Sequence, residues 1–265
     1  MTASISKQAV LFLSALSACG IGVSACGVSE NVLSSDRQDG GSTFLDTDFS
    51  TDTGVGKDSS TGTGVGADSD SNDCATETVQ ATEVLLIGDS WIWRPGLQLV
   101  ALARDAGTVG ETESYVILAA DGASMDAAVN QYDTQQAGVT KVKVLIMDGG
   151  GIDLIAAGGS AESAQQVVDA FELLLRKVEN DGTVEHVIYS LYPEGTITPG
   201  VATLRPGMQA VCAASSVPCY FLDLQSLWEG RPEYTTEDAI NPSDEGSEVI
   251  ARAIWNIMQQ NCVAQ

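Results

Sequence analysis

The chain has 265 residues, 36 of them acidic against 12 basic, for a formal charge of −24 at pH 7. Such a surface repels phosphate backbones and anionic headgroups, which excludes electrostatic nucleic-acid binding and makes an anionic polymer a poor partner. The hydrophobic fraction of 44% is ordinary, but apolar residues are sparse between Gly27 and Glu77 and dense after Val84, so one core late in the chain is expected.

Lys7 precedes the apolar run 9–16, and small residues follow, the pattern of an export segment. Leu16-Ser17-Ala18-Cys19 resembles a bacterial lipobox, which implies that Cys19 is acylated; Val23-Ser24-Ala25-Cys26 is a second candidate. The alternative, an uncleaved anchor over 9–25, is short of the ~20 residues a membrane span needs. Residues 1–26 are therefore expected to be a signal peptide with lipobox, with the mature protein held by lipid on the periplasmic or cell-surface side of the envelope. Residues 27–77 are rich in Ser, Thr, Asp and Gly and carry a near-repeat, 51–59 returning as 61–69. That composition cannot bury a core and predicts a disordered, self-repelling tether, while a calcium-binding repeat would need a fixed ligand pattern that is missing.

Beyond the export segment stand Cys74, Cys212, Cys219 and Cys262. An even number in an oxidising compartment predicts disulfides, and of the three pairings Cys212 with Cys219 and Cys74 with Cys262 is preferred, the second closing the two ends of the folded part. A zinc site is the competing reading, but there is no Cys-x-x-Cys and the single histidine, His186, stands apart.

Residues 78–265 alternate short apolar runs with helical patterns. Runs at 84–87, 115–118, 142–147, 187–189 and 219–222 predict strands mostly buried on both faces and hence parallel. Helices are expected at 97–106, 125–136, 161–178, 201–214 and 245–260; in the third, Val167, Val168, Phe171, Leu174 and Leu175 recur at helical spacing. The reading is an α/β domain of flavodoxin-like type, a doubly wound parallel five-stranded sheet with helices on both faces, whose function should lie just beyond the strand ends.

Four segments occupy those ends: Gly88-Asp89-Ser90-Trp91, Ala120-Asp121-Gly122-Ala123-Ser124, Asp148-Gly149-Gly150-Gly151-Ile152-Asp153, and Asp238-Ala239-Ile240-Asn241-Pro242. Their order and spacing resemble the blocks of the SGNH/GDSL hydrolases. The resemblance implies the SGNH hydrolase fold, ester hydrolysis, Ser90 as nucleophile, Gly122 and Gly150 at an oxyanion hole, Asp153 as the block aspartate, and Asp238 close to Ser90. Two departures matter. Ile152 stands at the block asparagine and has no side-chain donor, and Asn241 stands at the general-base histidine, where an amide takes up no proton near neutral pH. His186 opens the fourth strand, at the end of the sheet remote from Ser90.

The expectation is an envelope-anchored, SGNH-like lipoprotein with weak or lost hydrolysis and a retained pocket for acylated or acetylated carbohydrate or a similar ester-bearing envelope component. The alternatives are an active serine esterase using Ser90 with a non-histidine base, and a purely structural or partner-binding lipoprotein. Trp91, Trp93 and Trp228 are candidate stacking surfaces for a ligand, against simple packing. Asp89, Asp148, Asp153 and Asp238 should gather at one edge of the sheet and could hold a hard cation, but the resembled family requires none, so no metal or cofactor is expected.

Overall fold

The computed structural model describes residues 79–195 and 200–264, together with Cys74. The expectations for the signal peptide (1–26), for lipidation at Cys19 or Cys26, and for the tether (27–77, Cys74 apart) lie outside the described residues. In chain order the elements are β1 (Val84–Ile87), α1 (Ser90–Asp105), β2 (Val116–Ile117), α2 (Met125–Gln136), β3 (Val144–Met147), α3 (Gly151–Ala156), α4 (Ala161–Asp181), β4 (His186–Leu191), α5 (Val201–Ala214), β5 (Cys219–Asp223), α6 (Gln225–Trp228) and α7 (Asp244–Gln260).

The strands form one sheet in the order β2-β1-β3-β4-β5, parallel throughout. Every residue of β1 and β3 is buried, as strands covered by helices on both faces must be, which explains their unbroken apolar runs. After β1 the chain moves outward to β2 and then returns to β3 on the other side. The strand order therefore reverses between β1 and β3, and the switch point at which such sheets place their ligands lies beyond their carboxyl ends. Gly88-Asp89-Ser90 and Asp148-Gly149-Gly150 are the residues that follow those two strands.

The helices obey their patterns. Val167, Val168, Phe171, Leu174, Leu175 and Val178 form the buried face of α4, which is capped by the Ser160 hydroxyl on Ser163 N–H and ended by Gly182 in the left-handed region. α7 is capped by Ser243 and packs along α1. Both expected disulfides are formed, Cys74–Cys262 and Cys212–Cys219, and they are compatible with an exported protein. No helix among the described residues is long and apolar enough to cross a membrane.

Three local expectations shift. α1 begins at Ser90 rather than Leu97, with Pro95 inside it, because the Asp89 carboxylate accepts the Trp91 N–H and starts the helix earlier. β2 is reduced to Val116–Ile117, the two residues that pair with Leu85 and Leu86 of β1. The loops after β3 and β5 each contain a short helix, α3 and α6.

Candidate active site

Ser90 is the first residue of α1 and is 6% exposed. The turn that presents it is built by long-range partners. Gly88 adopts φ +115, and a side chain there would place Cβ 1.7 Å from Asp148 Oδ1, so only glycine fits. Gln131 of α2 grips the same residue from both sides: Gly88 N–H donates to its Oε1 (2.7 Å) and its Nε2 donates to the Gly88 carbonyl (3.3 Å). Ala120 N–H also donates to the Gly88 carbonyl, tying the loop after β2 to the loop after β1.

Beneath the serine lies a buried pair of carboxyls. Asp89 is 2% exposed and Asp148 is fully buried. Asp89 N–H donates to Asp148 Oδ1 (2.6 Å), while Asp89 itself accepts from Trp91 N–H (3.0 Å) and from the Tyr192 hydroxyl (2.8 Å). Asp148 Oδ2 is buried with no partner among the described residues. Burial raises both acids, and for Asp148 the neighbouring Asp89 charge pushes further, well above the usual carboxylate range. Of the two, Asp89 is the better supported as a carboxylate, because it receives two bonds, and Asp148 is the one raised further. Burial likewise raises the Tyr192 hydroxyl, which remains a donor.

The oxyanion candidates lie on the expected loops. Gly122 occupies a tight turn closed by Ala123 N–H on the Ala120 carbonyl (3.1 Å), with φ +75. Gly150 precedes α3 at φ +95, with its Cα against Val167, and Ile152 is the second residue of α3, half-buried. The Asp153 carboxylate accepts Met125 N–H (2.9 Å) and so fastens α3 to the start of α2.

Asp238 and Asn241 belong to a loop folded on itself by Thr236 N–H on the Asn241 carbonyl and by the Thr235–Pro242 bridge. Asp238 is exposed and spends its carboxylate inside that loop, accepting the Thr236 hydroxyl (2.5 Å) and the Ile240 N–H (2.9 Å). These bonds, the Thr236 hydroxyl first, hold its pKa below the usual carboxylate value. The expected closeness of Asp238 to Ser90 is thus not realised as a hydrogen bond; the short local turn satisfies the acid instead. The Asn241 side chain makes no hydrogen bond among the described residues, whereas its backbone holds the loop. The four carboxylates do not assemble either: Asp89 and Asp148 meet, Asp153 caps α2 and Asp238 caps its own turn. Among the described residues no group of three His, Cys, Asp or Glu side chains could hold a metal ion.

Two of the three tryptophans are corrected as ligand surfaces. Trp91 is 1% exposed, edge-on to Tyr192 (5.7 Å) and tilted against Trp228 (5.3 Å), with Nε1 donating to the Ile240 carbonyl. Trp228 is also buried and donates to Thr235. Both pin the 235–242 loop to α1, which is why their faces are closed; Trp93 alone stays open.

His186 pairs in register with Val144, which in turn pairs with Val84, so it sits at the amino-terminal edge of the sheet. Ser90 follows the opposite end, with the length of β1, roughly 10 Å, between the two edges. The imidazole stacks on Tyr220 and lies 3.3 Å from its hydroxyl; burial lowers its pKa.

Neither a known protein-family profile nor any curated protein matches the chain. Solved structures do. The chain is similar to a lipase/acylhydrolase from Enterococcus faecalis, with TM-score 0.52 and 16% identity over 67% of this chain and 95% of that one. An acetyl xylan esterase aligns with TM-score 0.53 and 13% identity over 66% of this chain and 98% of that one. A member of the lipolytic G-D-S-L family from Veillonella parvula gives TM-score 0.52 and 14% identity over 67% and 98%. At such identities the likeness is one of fold: the five-stranded parallel α/β architecture is that of the SGNH hydrolases.

Proposed function

We propose that the chain is an envelope-anchored lipoprotein whose SGNH-like domain has weak or no ester hydrolysis and keeps a pocket for acylated or acetylated carbohydrate or a similar envelope ligand. The observation that carries this reading is the position of the only imidazole, at the far edge of the sheet, while the family resemblance puts Asn241 where the base would stand. A serine hydroxyl attacks a carbonyl only as its proton is taken, and neither an amide nor a solvent-exposed carboxylate held below its usual pKa does that near neutrality. Losing the base of a serine triad costs up to ~10⁶ in turnover, and losing one oxyanion donor ~10²–10³, though the two are not additive. The ligand class is suggested by the fold likeness to an acetyl xylan esterase.

The purified protein is expected to hydrolyse p-nitrophenyl acetate no faster than its Ser90→Ala variant. A clear Ser90-dependent rate overturns the proposal in favour of an esterase with a non-histidine base. Asn241→His combined with Ile152→Asn is expected to create a Ser90-dependent rate; no gain in a folded variant overturns the retained pocket and favours a structural or partner-binding role.

A further inference from the structure

The loop that carries Asp238 and Asn241 is built as a closed unit. Its neck is the Thr235–Pro242 bridge, backed by Ser243 N–H on the Tyr234 carbonyl and by Trp228 Nε1–H on the Thr235 hydroxyl. Beneath the neck Trp228 and Tyr234 pack edge-on, 5.4 Å between ring centres. Within the loop, Thr236 N–H donates to the Asn241 carbonyl and Ala239 N–H to the Thr236 carbonyl, while the Thr236 hydroxyl and Ile240 N–H donate to Asp238 Oδ1. A segment that meets its own polar groups keeps its shape when it leaves its neighbours.

The hold of this loop on the rest of the domain is slight. Glu237, Asp238, Ala239 and Ile240 are exposed, and no residue of 236–241 belongs to the hydrophobic core. Among the described residues one hydrogen bond leaves this stretch, from Trp91 Nε1–H to the Ile240 carbonyl (3.0 Å). A weaker tie is the attraction between Asp238 and the Arg94 guanidinium, which also pairs with Asp121 at 3.5 Å. Segments with few buried apolar contacts are those that open at low cost. Both ties end at the start of α1: Trp91 is next to Ser90, and Arg94 lies one helical turn beyond Ser90 on the same face. Ser90 is 6% exposed, which leaves a ligand little surface to meet.

We propose that residues 235–242 form a gate over the Ser90 turn, hinged at the neck and latched by the Trp91–Ile240 hydrogen bond, with the Arg94–Asp238 attraction in support. Opening turns the loop outward as a unit, uncovers Ser90 and carries Asn241 with it. The admission of a ligand through the gate rests on the retained-pocket reading; the motion itself does not, and it holds whether or not Ser90 retains hydrolysis.

Nuclear magnetic resonance of the full chain follows the indole N–H of each of its four tryptophans. Trp91 is the more buried of the two bonded to the loop, at 1% exposed against 7% for Trp228, but its partner is the tip and that of Trp228 is the neck. The Trp91 N–H is therefore expected to exchange with solvent faster than that of Trp228, by about tenfold or more. Arg94→Gln is expected to speed Trp91 exchange about two- to fivefold, the range of an exposed ion pair. Iodoacetamide should alkylate a Ser90→Cys variant faster by the same factor once Arg94→Gln is added, because one opening controls both; circular dichroism checks that the variants fold. Trp91 exchanging no faster than Trp228 overturns the gate. Faster Trp91 exchange in Arg94→Gln without faster alkylation means that the loop moves without uncovering Ser90, and overturns it equally. No change in either rate removes Arg94 from the latch. None of these outcomes bears on the retained pocket, which the esterase assay and the Asn241→His with Ile152→Asn variant decide.

Discussion

Asp148→Asn is expected to stabilise the protein at neutral and alkaline pH, an unusual result for a fully buried acid beneath the Ser90 turn. Asp148 has a folded-state pKa raised by burial and by the Asp89 charge above the ordinary value of 3.8. The folded state therefore binds a proton that the unfolded state has lost at every pH between 3.8 and the raised value. By linkage, stability falls as pH climbs through that window, by up to about 1.4 kcal/mol for each pH unit. The raised Asp89 works in the same direction. Asparagine keeps an oxygen for the Asp89 N–H, brings its own N–H donors to an oxygen position that now has no partner, and cannot ionise. Urea unfolding across a pH series from 4 upward should show the wild type losing stability until the raised pKa is passed and then levelling, while Asp148→Asn stays flatter. The large negative charge repels itself in both proteins alike, so the difference between the curves isolates the pair. Parallel curves would mean that Asp148 is ionised in the folded state.

Gly88→Ala is expected to be the most damaging single methyl in the domain. Its Cβ would stand 1.7 Å from Asp148 Oδ1 and 2.7 Å from the Asp148 carbonyl oxygen, and the backbone at φ +115 is strained for any residue with a side chain. The carboxyl could swing away only by breaking its bond from Asp89 N–H, and the carbonyl belongs to the end of β3. A loss above ~4 kcal/mol, or no soluble protein, is anticipated. Gly107→Ala is the control, since Gly107 is also left-handed, at φ +78, but a Cβ there meets nothing within 4 Å; it should cost only ~1 kcal/mol. Equal thermal melts for the two variants would show that the β1 and β3 ends are not locked together at this point.

Much of this architecture was legible before any coordinates. β1 and β3 declare themselves because a strand covered on both faces has no polar face to show. α2 and α5 keep the bounds their patterns imply, being set by a serine cap at Ser124 and by a glycine at Gly200. The placing of Ser90, Gly150 and Asp153 just beyond strands follows from strand–helix alternation, and the distance of His186 from Ser90 follows from its opening a parallel strand. The partners of the Ser90 turn were not legible. Gln131 meets Gly88 across 43 residues and Tyr192 meets Asp89 across 103, and neither periodicity nor any local motif marks such a meeting. Asp148 was visible as a charge directly after an apolar strand, but not as one of a buried pair of raised acids.

The sequence by itself determined the parallel α/β fold, the strand-end position of Ser90 and the absence of an imidazole beside it, because each depends on residue identity, chain order or burial pattern; it favoured the disulfide pairing that the structure then fixed. Tertiary structure alone decided that Trp91 and Trp228 are packed shut, that Trp93 remains open, that Asp238 caps its own turn, and that Asp89 and Asp148 lie buried together. Those outcomes depend on which side chains meet across the sheet and its crevice, and burial energies, hydrogen-bond partners and proton occupancy are properties of the meeting rather than of either residue.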